Sequence, residues 1–116
     1  MRLDTIVIDC HDKHALAAFW CALLGTTVRG EIGQYLGLHA SHEGAPRLVF
    51  QQLPDLGDRS EKGRLHVDLD THELDADVER AVALGATVEA TLEELGMRWV
   101  TMRDPEGNLF CICAEG

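Results

Sequence analysis

The residues best suited to chemistry are His66 and Asp68, an imidazole and a carboxylate two positions apart. On a β-strand that spacing puts both on one face. An imidazole beside a carboxylate can act as a general base whose basicity its surroundings set. Asp9, near the end of a similar apolar stretch (Thr5 to Cys10), is a second acid that could serve the same imidazole. The bland alternative is that Asp9 and Asp68 hold loops or pair with Arg64, Arg98 or Arg103. Cys111 and Cys113 also share a strand face. A nucleophilic thiolate needs a basic neighbour, and the sequence places no lysine or histidine beside Cys111. Packing as a small apolar residue is the default for it. His11 and His14, like His39 and His42, are three apart, a spacing that can bind zinc on a helical turn. No second ligand pair accompanies either set, so they read as surface histidines. Trp20 and Trp99 could stack on a cationic or aromatic ligand, or simply pack in the core.

These residues fall on elements that occur twice. Leu24-Gly25-Thr26-Thr27-Val28 is echoed sixty positions later by Leu84-Gly85-Ala86-Thr87-Val88. A repeated strand–helix–strands unit implies two matching half-structures. In the first, alternation over Arg2 to Cys10 predicts a strand, with Ile6, Ile8 and Cys10 opposite Thr5, Val7 and Asp9. Asp12 is the expected N-cap of a helix over 13–24, whose stripe is Ala15, Leu16, Phe19, Trp20 and Leu23. Gly25 ends it. Strands follow at 26–31, 34–40 and 47–53. Residues 54–63 have linker composition. In the second half a strand covers 64–70, and Thr71 caps a helix over 73–84. Strands at 86–91, 97–103 and 109–114 complete it, the last two joined by a turn over Asp104-Pro105-Glu106-Gly107-Asn108. The expected fold is α+β, βαβββ followed by βαβββ, in one domain over 1–116: module one over 1–53, module two over 64–116.

With 116 residues the chain can bury a sizeable core. Its formal net charge of −10 argues against nucleic acid and anionic membrane surfaces, which reward cationic faces. No apolar run reaches the length of a membrane span. Met1-Arg2-Leu3-Asp4 lacks the apolar core of a secretory signal, and a cytoplasmic location is expected. The four cysteines form no Cys-x-x-Cys and read as buried free thiols.

Several phrases resemble the vicinal-oxygen-chelate superfamily, the glyoxalase, bleomycin-resistance and ring-cleaving dioxygenase group. The most specific is Arg103-Asp104-Pro105-Glu106-Gly107-Asn108-Leu109-Phe110, similar to the family's turn before its last strand. Ala18-Phe19-Trp20 followed by Leu23-Leu24-Gly25 resembles the family's first helix. Arg64-Leu65-His66-Val67-Asp68-Leu69 resembles the strand opening its second module. The likeness spans the chain and points to a glyoxalase-like subfamily.

The resemblance implies two βαβββ modules enclosing a cavity, commonly in a homodimer. In metal-dependent members four inward residues hold one divalent ion. Carried onto this chain, their positions are Thr5, Gln51 (or Gln52), His66 and Cys111. An alcohol, an amide, an imidazole and a thiol make a poor set without a balancing carboxylate, so no cofactor is expected; if an ion binds, His66 and Gln51 are its ligands. Strand alternation then puts His66, Asp68 and Asp70 toward the cavity, and Leu65, Val67 and Leu69 toward the second helix. Thr5, Val7, Asp9, Trp99, Thr101, Arg103, Leu109, Cys111 and Cys113 also face inward. An apolar wall with a few placed polar groups suits a small organic molecule. The expected function is binding such a molecule without a catalytic metal, with Thr5, Val7, Trp20, Gln51, Trp99, Thr101, Arg103 and Cys111 as contacts. Two alternatives stand beside it. One is a metal-independent isomerase or lyase using His66 with Asp68 or Asp9. The other is a divalent-metal enzyme of glyoxalase or dioxygenase type.

Overall fold

The computed structural model describes residues 1–54 and 65–115. Among them lie ten elements: β1 (Arg2–Cys10), α1 (Lys13–Leu24), β2 (Val28–Ile32), β3 (Tyr35–Leu38), β4 (Arg47–Gln52), β5 (Leu65–Thr71), α2 (Leu74–Ala83), β6 (Thr87–Glu94), β7 (Met97–Arg103) and β8 (Leu109–Ala114). The order is βαβββ used twice, the α+β arrangement the repeat predicts. The first strands run in the order β2-β3-β4-β1 and the second set repeats it as β6-β7-β8-β5. In each module the first and last strands pair in parallel and the others antiparallel. The chain divides into two compact units, one from Thr5 through β4, the other from His66 onward. Met1–Asp4 belong with the second unit rather than with module one as expected. There Arg2 lies 3.0 Å from Glu115 and 4.0 Å from Asp70. The expected linker lies, from residue 55 on, outside the described residues, as does Arg64.

In the first module Ile8, Cys10, Leu48 and Phe50 carry the strands' apolar face onto Leu16, Ala17, Trp20 and Cys21 of α1, with Leu36 and Leu38 of β3. The Asp12 carboxylate accepts the backbone N–H groups of His14 and Ala15, satisfying two donors that a bare helix start leaves unpaired. Gly25, with φ 70°, ends the helix and returns its N–H to Cys21. The buried Lys13 holds the start of α1 in place: its ammonium lies 2.8 Å from Glu31 and donates to the Gly33 carbonyl, and its backbone N–H donates to Gln52. In the second module Leu69, Val100, Met102, Phe110 and Ile112 pack on Leu74, Val78 and Ala81 of α2.

Most element bounds differ from the sequence reading by one or two residues, and two differences, at the end of β6 and at Thr71, have a cause in tertiary partners. Strand β6 continues to Glu94 instead of ending near 91, because a two-residue turn, Leu95-Gly96, folds it back on β7. Both turn residues have positive φ (52° and 76°), the conformation that matches strand twist in a tight hairpin. Glu93 and Glu94 stand on the exposed end of this strand, where charge is tolerated. Thr71 is not the N-cap: that position is Glu73, which makes no side-chain cap bond. Thr71 instead accepts from the Glu73 N–H and donates to Asp77 one turn into α2, so it ties the helix start from outside.

The Asp104 carboxylate gathers the backbone N–H groups of Glu106 and Asn108 and the Asn108 side-chain amide. These bonds favour the ionised form and hold its pKa below the ordinary carboxylate value. Two outcomes are expected. Phe50→Ala and Met102→Ala each remove a side chain with no exposed surface. Each should lower the unfolding free energy by about 2–5 kcal/mol in urea titrations with unchanged slope; a loss under about 1 kcal/mol would contradict their place in the core. The contribution of Asp104 is present above the ordinary carboxylate pKa and lost as pH falls through its lowered folded value. An NMR titration should therefore give a midpoint for Asp104 below that of a free aspartate.

Candidate functional site

Because α1 and α2 each cover one strand face, the opposite face of each module is free of helix, and the candidate site residues stand there. In the second module, register pairs Asp68 with Cys111, Asp70 with Cys113, Thr101 with Cys111, Trp99 with Cys113 and Arg103 with Leu109. Paired residues share a face, so His66, Asp68, Trp99, Thr101, Arg103 and Cys111 come together as strand alternation predicts. In the first module Thr5, Val7 and Asp9 pair with Arg47, Val49 and Gln51, again on the face away from the helix. Thr5, Val7 and Asp9 are all buried.

The centre of the second module's face is a three-residue cluster. His66 Nε2 lies 3.5 Å from Asp68 Oδ1, and both side chains are about a quarter exposed, at 26% and 27%. The Cys111 thiol completes the group, with one ligand atom from each residue within 4.8 Å of the others. Thr101 Oγ1 lies 3.5 Å from Cys111 Sγ. Asp68 is the carboxylate of this module that stands beside the imidazole; Asp9 belongs to the first unit. Of the arginines offered as alternative partners, Arg64 lies outside the described residues, and Arg98 and Arg103 pair with other acids. Arg98 lies 3.4 Å from Asp75, and Arg103 grips Glu89 at 2.7 Å while donating to the Gly107 carbonyl. Arg103 thus binds the β6 bulge to the following turn, and its guanidinium is already engaged there.

Trp20 is not on this kind of face. It sits on α1 against the first core cluster, with Phe19 edge-on at 5.3 Å between ring centroids. Trp99, by contrast, shares the helix-free face with Cys111 and Cys113. The two glutamines separate cleanly: Gln52 points to the helix side and caps Lys13, while Gln51 lies on the opposite face and donates to the Tyr35 hydroxyl at 3.2 Å. Tyr35 was missed in sequence; only the register of β3 on β4 pairs it with Gln51. His11, His14, His39 and His42 are exposed, and His14 pairs with Glu31 at 2.9 Å.

The donor set for an ion also changes. The four positions taken from the resemblance lack a carboxylate, and that lack argued against a metal. The structure puts Asp68 beside His66 and Cys111, because the strand's two-residue period carries Asp68 to the same face and pairing sets it opposite Cys111. An imidazole, a carboxylate and a thiol from one module do fit a divalent ion that accepts mixed nitrogen, oxygen and sulfur ligands. Among the described residues this is the one such cluster of three.

Without an ion both thiols are poor nucleophiles. Burial pushes Cys111 up, with nearby Asp68 adding to the rise and the Thr101 hydroxyl opposing it. Burial likewise pushes Cys113 up to about 12, reinforced by the Asp68 charge. At neutral pH both should be alkylated by iodoacetamide more slowly than a free cysteine, Cys113 at least about tenfold, because reactivity follows the thiolate fraction. Peptide mapping by mass spectrometry reads this directly, and rapid labelling of Cys113 in the folded protein would contradict it.

No helix among the described residues is long and apolar enough to cross a membrane. Comparison with curated proteins found no match. Solved structures share the fold. A Streptomyces coelicolor methylmalonyl-CoA epimerase variant in complex with 2-nitronate-propionyl-CoA superposes with a TM-score of 0.71 at 22% identity, over 100% of this chain and 95% of that one. A glyoxalase/bleomycin resistance protein/dioxygenase superfamily member from Vibrio splendidus gives 0.65 at 16% identity, over 98% of each chain. A methylmalonyl-CoA epimerase bound to methylmalonyl-CoA and NH4+ gives 0.69 at 23% identity, over 99% and 94%. A family model described as a glyoxalase-like domain matches residues 5–113. The chain therefore belongs to the glyoxalase-like domain family.

Proposed function

We propose that the protein binds a small organic molecule on the helix-free face of its second module, with His66 and Asp68 as the polar centre. The observation that carries this is the half-buried His66–Asp68 pair, 3.5 Å apart, on a face shared with Trp99, Thr101 and Cys111. Buried apolar surface supplies affinity there, and a few oriented polar groups supply specificity. Such binding requires no metal. The Streptomyces neighbour is complexed with a CoA thioester, so CoA thioesters and simple carboxylic acids head the panel to be screened. Ligands that bind should shift the amide resonances of β5, β7 and β8. His66→Ala should weaken them about tenfold or more, the usual consequence of losing a charge-assisted hydrogen bond. Hits that map only to other surfaces, or that ignore His66→Ala, would sink the reading.

The same pair favours a second reading, proton transfer to or from the bound molecule. Asp68 faces Nε2 of the imidazole and stabilises its protonated form, and the other ring nitrogen, Nδ1, takes a proton from an acidic C–H of the ligand. That is the chemistry of an isomerase or a lyase. Deuterium uptake from heavy water into a bound ligand should then disappear in His66→Ala while binding persists; a ligand recovered without deuterium leaves simple binding.

A further inference from the structure

We infer that the helix-free face of the first module carries a separate site for an organic monocarboxylate, held by Arg29 and Tyr35. The inference does not rest on the second module's ligand-binding reading. Acids outnumber lysine and arginine 20 to 10 in this chain. Among the described residues Arg2, Lys13, Arg80, Arg98 and Arg103 each stand no farther than 3.4 Å from a carboxylate, and Arg47 is engaged as well. Arg29 alone among the described lysines and arginines has no partner. The backbone explains where its guanidinium lies. Val28 pairs with Leu38 and Gly30 with Gly37, so Arg29 is the extra residue of a bulge. A bulge sets two residues against one and re-aims a side chain. Here it lays Arg29 over Gly37: a Cβ on that glycine would stand 4.0 Å from Arg29 Nη1 and 3.6 Å from Val49 Cγ2. Val49 pairs with Val7 on the face away from α1, and the guanidinium shares that face.

The floor there is bare, because the paired residues Gly30 and Gly37 have no side chain. Ile32, Tyr35 and Val49 wall a recess of about 300 Å³. Glu31 also borders it, but its carboxylate is taken by Lys13 at 2.8 Å and His14 at 2.9 Å. The Tyr35 hydroxyl accepts from Gln51, which leaves its own proton to donate. A guanidinium and a phenolic O–H are both donors, and the first is charged, so together they suit an oxyanion. The planar guanidinium fork matches the two oxygens of a carboxylate, and the apolar walls suit the body attached to it. One cation balances one negative charge. On a chain of net charge −10 the described lining offers a phosphate dianion no second cation.

The test is an NMR titration of the full chain with benzoate, an aromatic monocarboxylate. Benzamide serves as its neutral isostere and inorganic phosphate as the dianion. Saturable shifts are expected at the amides of Arg29, Gly30, Gly37 and Val49 and at the Arg29 Nε–H. Benzamide and phosphate should each bind at least about tenfold more weakly. Arg29→Gln should weaken benzoate at least about tenfold, and Arg29→Lys, which keeps the charge without the fork, by less. Tyr35→Phe should weaken it about threefold. Arg98→Gln, which removes a paired cation of the other unit, should leave binding unchanged. Arg29 and Tyr35 are both exposed, so their variants keep the core, and an otherwise unaltered amide spectrum shows each to be folded. Absence of saturable shifts at Arg29, equal binding of benzamide, tighter binding of phosphate, or undiminished benzoate binding in Arg29→Gln would overturn the inference. Shifts at β5, β7 and β8 report the second module instead. Benzoate seen only there removes this site and leaves the ligand-binding reading standing; benzoate seen only around Arg29 supports this site and counts against that reading.

Discussion

Each strand of this protein shows side chains alternately to two faces, and in each module one face is committed to a helix. Everything else follows from that constraint. Phe50 and Ile112, which stand on the last strands of their modules, are wholly buried on the helix side. Their neighbours one residue away, Gln51, Cys111 and Cys113, are thereby sent to the opposite face. A one-residue slip of β8 against β5 would exchange Cys111 for Ile112 and dismantle both the core and the polar cluster. The apolar core of the second module thus sets the register that brings His66, Asp68 and Cys111 together.

The helix-free faces of the two modules are chemically unlike although the modules repeat one topology. In the first, Thr5 and Val7 are buried on β1 and Gln51 meets Tyr35. In the second, the corresponding strand carries an imidazole and two acids. The neutral thiols nearby matter here: with Cys113 pushed up to about 12 by burial, β8 contributes no negative charge of its own in the absence of an ion. The cluster's charge then rests on Asp68 and His66 alone.

Much of this was legible in the residues. The helix Lys13–Leu24 falls where the sequence puts it, because Asp12 and Gly25 mark its ends through backbone chemistry that needs no tertiary partner. The bounds of β7 and β8 were equally plain, set by the Asp104–Asn108 turn between them. The faces of β1, β5, β7 and β8 followed from alternation alone. Thr71 and the end of β6 were misread because each depends on a partner: Asp77 one turn into α2, and the return of β7 through Leu95-Gly96.

What the sequence determined by itself was the repeat, the α+β class, the helix ends and the face on which each strand residue stands. These are local properties, fixed by backbone period and capping. Tertiary structure decided the pairings: that Asp68 sits opposite Cys111, that Gln51 meets Tyr35 while Gln52 caps Lys13, that Arg103 is taken by Glu89, and that Trp20 packs in a core. Those outcomes depend on register between strands distant in the chain. Such register is chosen by the packing of whole cores, which no local spacing encodes.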